Sequence, residues 1–241
     1  MADASEGAAP GSGRVEFKTG FLRAWTSGLP EVGQQDLRVQ VASDDLVEPS
    51  VILLRVISAY IKTQERRITT GETFQYGSWN LKFEAGADGY LDAYNLDLAT
   101  GEFVLGATQA IGCWEAQQSI CDMGNAEFEP ARLGDYVAVT IGVMEGDAAI
   151  AVRYPPDREG MTGWFFLSSS WNGAPDSVRI EHLYTVIQKL PDALQYMALP
   201  PGYRVDLTTK QYGFDPAVLG EEPAEEDNDG GVGSPLPLGE G

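Results

Sequence analysis

An alternation of apolar and polar residues, followed by a helical repeat, organises the first ordered part of the chain. Leu37–Val41 alternates cleanly, which predicts a strand. From Val51 to Arg66 the apolar residues recur every three or four positions and share one face of a predicted amphipathic helix. Asp45 and Glu48 have the spacing of a capping box at the start of this helix. We therefore expect a strand and then a helix that covers its sheet.

A meander of short strands follows the helix. Asp88-Gly89 separates two apolar runs, Ser78–Glu84 and Tyr90–Leu96, and this dipeptide is a strong signal for a hairpin turn. A third short strand is predicted at Phe103–Leu105, and the periodicity of Thr108–Asp122 predicts a second helix. These elements complete a first unit of strands and helices.

The second half of the chain has the same mixture. Tyr136–Ile141 and Ala148–Val152 predict two strands, and an aromatic strand follows within Met161–Gly173. Val178–Leu190 has the spacing of an amphipathic helix. A turn at Pro200-Pro201-Gly202 then leads to a last strand.

We therefore predict an α+β protein of two small antiparallel sheet-plus-helix domains in series, over residues 14–124 and 127–218. Residues 1–13 are small and polar, and we expect a disordered leader there. Gly, Pro and acidic residues dominate 219–241, without any Lys or Arg. That composition is typical of a disordered acidic tail.

The net charge of the chain disfavours some classes of binding partner. The chain has 16 basic and 36 acidic residues, which gives a net charge of −20. Such a surface repels nucleic acid and anionic membranes, so the charge disfavours both as partners. It would attract a basic protein and speed that encounter. A surface adapted for solubility, or for a halophilic host, explains the same charge, and composition leaves both explanations open.

One acidic segment is concentrated in the predicted meander. Residues 83–131 contain nine acidic residues and no Lys or Arg. Such a segment is either a solvated face or a binding surface. If it binds a partner, we expect the contact to include four acidic residues of the hairpins: Asp88, Asp92, Asp97 and Glu102.

Several features lead us to expect a cytoplasmic protein. The N-terminus has no apolar segment typical of a secretory signal, and no apolar run approaches the roughly 18 residues of a transmembrane helix. Cys113 and Cys121 share one predicted helix and are separated by about 12 Å along its axis, which is too far for a disulfide. We expect two buried thiols.

The sequence offers little catalytic chemistry. His182 is the only histidine, and we expect it to be exposed on its helix without a role. Ser168-Ser169-Ser170 lacks the Gly-x-Ser-x-Gly pattern of a nucleophile elbow, and no nucleotide-binding or zinc-protease motif occurs. We therefore predict no catalytic residue, no metal and no cofactor. Of the five tryptophans, Trp171 is the one expected to be partly exposed.

Residues of about 135–215 resemble the immunity-protein-thirty-three-like domain of bacteria. The likeness lies in an ordered set of features: the strands Tyr136–Ile141 and Val152–Tyr154, the strand Gly163-Trp164-Phe165-Phe166, a following helix, and the closing turn Leu199–Tyr203. The family usually has a run such as Asp-Ser ahead of Gly-Trp, where this chain has Glu159-Gly160-Met161-Thr162. The segment from Gly71 to Trp79 is similar to segments that precede this domain in longer bacterial proteins.

The resemblance implies an immunity protein of a polymorphic or contact-delivered toxin system. Such proteins are not enzymes; they bind a cognate toxin domain stoichiometrically and occlude or distort its active site. A cytoplasmic immunity protein implies a toxin that acts in the cytoplasm, and the acidic surface leads us to expect a basic toxin domain. We place further partner contacts at the edges of the aromatic strand: Asp157, Glu159, Trp171 and Asn172.

Two other functions stay open on the sequence. One is an adaptor or chaperone that escorts a secreted effector. The other is a hydrolase with paired carboxylates that the abundance of acidic residues hides. The sequence does not set the oligomeric state.

Overall fold

The computed structural model describes residues 15–147 and 149–220 and contains two sheets, each covered by helices. The predicted α+β class is confirmed. Each sheet is mixed rather than purely antiparallel, because each contains one parallel pair of strands. The predicted leader 1–13 and residues 221–241 of the predicted tail lie outside the described residues.

Seven strands form the first sheet. They are β1 Glu16–Gly20, β2 Arg23–Ser27, β3 Leu37–Gln40, β4 Thr73–Tyr76, β5 Trp79–Ala85, β6 Leu91–Leu96 and β7 Phe103–Leu105. Their order is β1-β2-β3-β6-β5-β4, with β7 also on β6, and the parallel pair is β3 with β6. The hairpin predicted at Asp88-Gly89 joins β5 to β6, and Gly89 has φ 88°. Glycine adopts this left-handed conformation without a steric cost.

The first helix, α1, spans Val47–Gln64 and packs across β1, β2 and β3. It begins four residues before the apolar periodicity that starts at Val51, because a 3-10 turn over Asp44–Leu46 runs directly into it. Asp45 therefore lies inside a helical turn. It lacks the extended geometry of an N-cap residue, and the predicted capping box does not form.

Six strands form the second sheet. They are β8 Tyr136–Thr140, β9 Ala149–Arg153, β10 Met161–Ser168, β11 Val178–His182, β12 Tyr203–Asp206 and β13 Gln211–Phe214. Their order is β11-β8-β10-β9-β12-β13, so the predicted aromatic strand, β10, has a neighbour on each side. Trp164 and Phe166 are fully buried on one face of β10, while Phe165 and Leu167 are half-buried on the other.

The helix predicted over Val178–Leu190 is wrong in its first part. Val178–His182 is the edge strand β11, paired antiparallel with β8, and only Leu183–Lys189 forms a helix, α3. Ile180, which a helix over this segment would have placed on its apolar face, is 46% exposed. The free edge of β8 supplies hydrogen-bond partners for this segment, and such tertiary pairing overrides a local helical pattern.

A glycine shapes the start of β10. The register between β10 and β8 shifts between Met161 and Phe165, which marks a bulge. Gly163 lies in this bulge with φ 80°, and a Cβ atom there would overlap the carbonyl oxygen of Tyr154. Only glycine fits this close approach of two backbones.

The second helix, α2 (Thr108–Met123), contacts both units. It packs against β5 and β6 and also against the 3-10 segment Pro191–Tyr196. The buried Gln117 amide donates hydrogen bonds to Ser78 Oγ and to the Leu194 carbonyl, both at 2.8 Å. The helix also carries Cys113 and Cys121 as buried free thiols, as predicted. The domain boundary expected at residues 124–127 stays a prediction.

Candidate partner-binding surface

The first two predicted contact residues, Asp88 and Asp92, share one arginine. Arg38 on β3 donates from Nε to Asp92 Oδ1 at 2.6 Å and from Nη1 to Asp88 Oδ2 at 2.6 Å. Hydrogen bonding to Asp92 raises the pKa of Arg38, and hydrogen bonding to Arg38 lowers the pKa of Asp88. Asp92 is only 6% exposed. Its charge therefore stabilises the sheet, and Asp88 remains the exposed member of the cluster.

The next two, Asp97 and Glu102, lie in the turn between β6 and β7. The Asp97 carboxylate accepts the backbone N–H of Ala99 at 2.8 Å, and its own N–H donates to the Glu102 carbonyl. Asp97 therefore shapes the turn, while the Glu102 side chain is exposed. Gly101, in the same turn, lines a pocket of about 370 Å³ together with His182 of the second unit. This turn therefore borders the second unit.

The residues predicted at the edges of β10 lie at its two opposite ends. Asp157 and Glu159 are exposed in the loop before the strand, and Trp171 and Asn172 follow it. The eight residues of β10 span about 23 Å, at roughly 3.3 Å per residue, and the two pairs lie in the loops beyond its opposite ends.

Trp171 is half-buried, in agreement with the prediction of partial exposure. Its indole Nε1 donates to Ser177 Oγ at 3.0 Å, and its ring packs edge-on against Phe165 with centroids 5.7 Å apart. The indole is therefore held in place, and the neighbouring Asn172 is exposed. The eight predicted residues thus form four separate groups on the two units.

The structure also shows an apolar groove that the sequence reasoning missed. It lies between α1 and α2 and has a volume of about 420 Å³. Its lining is mainly apolar, with two acidic residues and no basic one: Pro49, Ile52, Tyr76, Ile111, Trp114, Glu115, Gln118, Ser119, Asp122 and Met123. Ile52 is 47% exposed and Met123 is 69% exposed. Exposed apolar groups concentrated in one groove are typical of interaction sites.

A pattern in the sequence could have found this groove. Ile52 and Val56 are four residues apart, outside the buried stripe of α1 formed by Leu53, Leu54 and Ile57. Two apolar residues at this spacing lie side by side on the outer face of a helix. The pair is easily overlooked in the sequence because the basic residue Arg55 lies between its members.

The single histidine lies at the end of β11. His182 is exposed, as predicted, but it precedes α3 and does not lie within a helix. Its Nδ1 is 3.0 Å from the carbonyl oxygen of Gly134, and its ring stacks on Tyr136 at 4.2 Å. Within residues 15–147 and 149–220, no group of three or more His, Cys, Asp or Glu side chains is arranged to hold a metal ion.

A buried arginine anchors the loops around β9 and β10. Arg153 is 4% exposed and donates to three backbone carbonyls, those of Glu129, Thr162 and Leu199. Its Nη2 is 3.1 Å from the Glu129 carboxylate. Burial lowers the pKa of the guanidinium. This single side chain therefore ties together three segments of the second unit.

Residues 116–215 match the Imm33-like domain. The chain carries an Imm33-like domain. The match confirms the resemblance predicted over 135–215 and extends it into α2, so the domain includes the second half of that helix and all six strands of the second sheet. The first sheet and α1 lie outside the match. An Imm33-like domain indicates an immunity protein.

No curated protein and no solved structure matches the chain. In the described part of the chain, no helix is both long enough and apolar enough to cross a membrane.

Proposed function

We propose that this protein is an immunity protein that binds a cognate toxin domain in the cytoplasm and neutralises it without catalysis. The observation that carries the proposal is the Imm33-like domain over residues 116–215. Neutralisation is stoichiometric: the bound protein occludes the active site of the toxin, and no cofactor takes part.

The charge of the chain supports a basic toxin domain as the partner. A net charge of −20 accelerates the encounter with a cationic protein and favours its correct orientation. Enzymes that act on nucleic acids or nucleotides bind anionic substrates in basic clefts, and an acidic protein surface competes for such a cleft. The proposal therefore includes a toxin of this class.

We assign the steering of the encounter to the exposed acidic residues of the predicted contact set. Glu102, Asp157 and Glu159 have exposed side chains and, within the described residues, form no ion pair. Asp88 contributes less because Arg38 offsets its charge. Trp171 and Asn172 add a firmly held aromatic edge at the far end of β10.

The test is co-expression with the cognate toxin domain, which we expect the neighbouring reading frame to encode. We expect the full chain to restore growth of cells that express the toxin, and the two purified proteins to elute from gel filtration as a 1:1 complex. Cells that stop growing despite soluble expression of both proteins, or two proteins that elute separately, would overturn the proposal. Normal growth of toxin-expressing cells with an export defect in the deletion strain would favour an adaptor instead.

A second measurement addresses the steering residues. The triple substitution Glu102→Lys, Asp157→Lys and Glu159→Lys should lower the association rate constant by about tenfold at low salt, with a smaller effect at high salt. The matched control replaces Glu31, Glu65 and Asp176, which are also exposed. Equal losses in both triple variants would show that only net charge matters.

A further inference from the structure

We propose that the groove between α1 and α2 is the docking site for the toxin domain, and that it receives an apolar side chain flanked by lysine or arginine. This inference rests on the proposed function, because it names the surface through which that function is carried out. It also gives the first unit of the chain a role, because α1 supplies one wall of the groove.

The floor of the groove is preorganised by stacked aromatic rings. Tyr76 and Trp114 stack with centroids 4.5 Å apart, and Trp114 packs against Phe128 at the same separation. Tyr76 is buried, and burial raises the pKa of its hydroxyl. A rigid aromatic floor binds an apolar group at a low entropic cost, because few rotamers have to be ordered on association.

The walls of the groove expose apolar side chains from both helices. Ile52 lines the groove from the outer face of α1, and Met123 lines it from the end of α2. Methionine adapts its shape to a partner better than a branched side chain does. An apolar anchor inserted between these walls would exclude water from all of them, which is the arrangement of a binding hot spot.

The charge around the groove selects a cationic partner. Glu115 and Asp122 lie on its lining, Glu48 is exposed one turn before Ile52, and the lining contains no Lys or Arg. Arg55, the nearest basic residue of α1 in sequence, turns away and packs over Phe17 on β1. Lysine or arginine residues beside the apolar anchor would therefore meet carboxylates on the rim.

The same charge argues against two other occupants. Residues 221–241 of this chain contain seven acidic residues and no basic one, so an acidic rim repels them. A symmetric dimer through this face would place Glu115 and Asp122 of one copy near those of the other, because a two-fold interface uses the same surface on both subunits. A basic partner would form favourable charge interactions with the carboxylates of the rim, and neither of these occupants would.

The groove also spans the limit of the family match. Gln118, Ser119, Asp122 and Met123 lie within the Imm33-like domain, whereas Pro49 and Ile52 lie outside it. The end of the α2 wall therefore belongs to the domain that indicates toxin immunity, whereas the start of that wall and the wall from α1 lie outside the match. A toxin docked here would contact both units at once.

The experiment measures binding of the neighbouring toxin domain, inactivated by substitution of its own catalytic residue, to variants of the full chain. Ile52→Asp and Met123→Asp should each raise the dissociation constant by about 10- to 100-fold, because each places a charge against the apolar anchor. Glu115→Lys with Asp122→Lys should slow association by about tenfold at low salt.

Ile180→Asp is the matched control, because Ile180 is 46% exposed and Ile52 is 47% exposed. Circular dichroism and thermal unfolding establish that each variant folds. Wild-type affinity in Ile52→Asp and Met123→Asp would overturn the assignment of the groove as the docking site, and it would leave the proposed immunity function intact. Failure of the wild-type chain itself to bind would instead contradict the proposed function.

Two further outcomes would also overturn the groove as the toxin site. Equal weakening by Ile52→Asp and Ile180→Asp would show that any exposed apolar position matters equally. A wild-type dimer in sedimentation velocity that Ile52→Asp separates into monomers would assign the groove to a second copy of the chain.

Discussion

The two sheets place their key arginines in different environments. In the first sheet, Arg38 is paired with the carboxylates of Asp88 and Asp92, near the surface and 54 residues away from Asp92 in sequence. In the second sheet, Arg153 is buried and is held mainly by backbone carbonyls of three segments. The first arginine neutralises side chains, and the second organises loops.

This difference indicates how much each arginine contributes to the stability of its unit. A partly exposed ion pair contributes little on its own, and Arg38 matters mainly because Asp92 is buried. Removing a buried donor such as Arg153 leaves carbonyls without partners inside the protein, which costs more. We therefore expect the Imm33-like domain to be the more sensitive of the two units to single substitutions that disturb its loops.

The largest expected effect is at the glycine of the β10 bulge. Gly163→Ala should lower the free energy of unfolding by about 4 kcal/mol, because the new Cβ meets a backbone oxygen that has no room to move. Gly89→Ala in the first sheet has a similar φ but meets open space, and should cost about 1 kcal/mol. Urea unfolding followed by tryptophan fluorescence measures both, and equal losses would contradict the difference between the units.

Arg153→Met should have the next largest effect, about 3 kcal/mol in the free energy of unfolding, because three carbonyls lose their donor. The exposed Arg158 in the β9–β10 loop provides the control, and Arg158→Met should change stability by less than about 0.5 kcal/mol. Similar unfolding midpoints for wild type and Arg153→Met would show that water replaces the guanidinium without loss.

Arg38→Met should cost about 2 kcal/mol at neutral pH, because it leaves the buried Asp92 without its partner. The pKa of Asp88 is lower in the folded chain than in the unfolded chain, so its pairing with Arg38 stabilises the fold above the ordinary aspartate pKa. That contribution is lost as the pH falls through the folded-state pKa. Denaturation curves measured from pH 7 down to pH 3 should therefore show that acidification lowers the free energy of unfolding less in Arg38→Met than in the wild type.

Local patterns predicted the elements whose signals are contained in their own sequence. The hairpin at Asp88-Gly89 and the aromatic strand β10 are confirmed. The edge strand β13 gave no signal, because its mostly exposed residues lack the apolar alternation of a buried strand. The helical spacing of Val178–His182 led to a wrong prediction, because this segment becomes a strand only by pairing with β8, which lies some 40 residues earlier.

The predicted contact residues show the same limit. Sequence alone identified an acidic segment but did not reveal that Arg38 neutralises part of it, because Arg38 and Asp92 meet only when β3 and β6 pair in parallel. It also did not reveal that Asp157 and Trp171 lie at opposite ends of one strand. Whether these residues contact a partner stays a prediction.

Composition, turn residues and short motifs are local properties, and they were enough to predict the α+β class, the acidic character and the likeness to the Imm33-like domain. The folded chain was needed to show which charges are exposed, that Arg153 holds three loops together, and that α1 and α2 enclose an apolar groove. Those features depend on contacts between residues far apart in the chain, and packing alone brings them together.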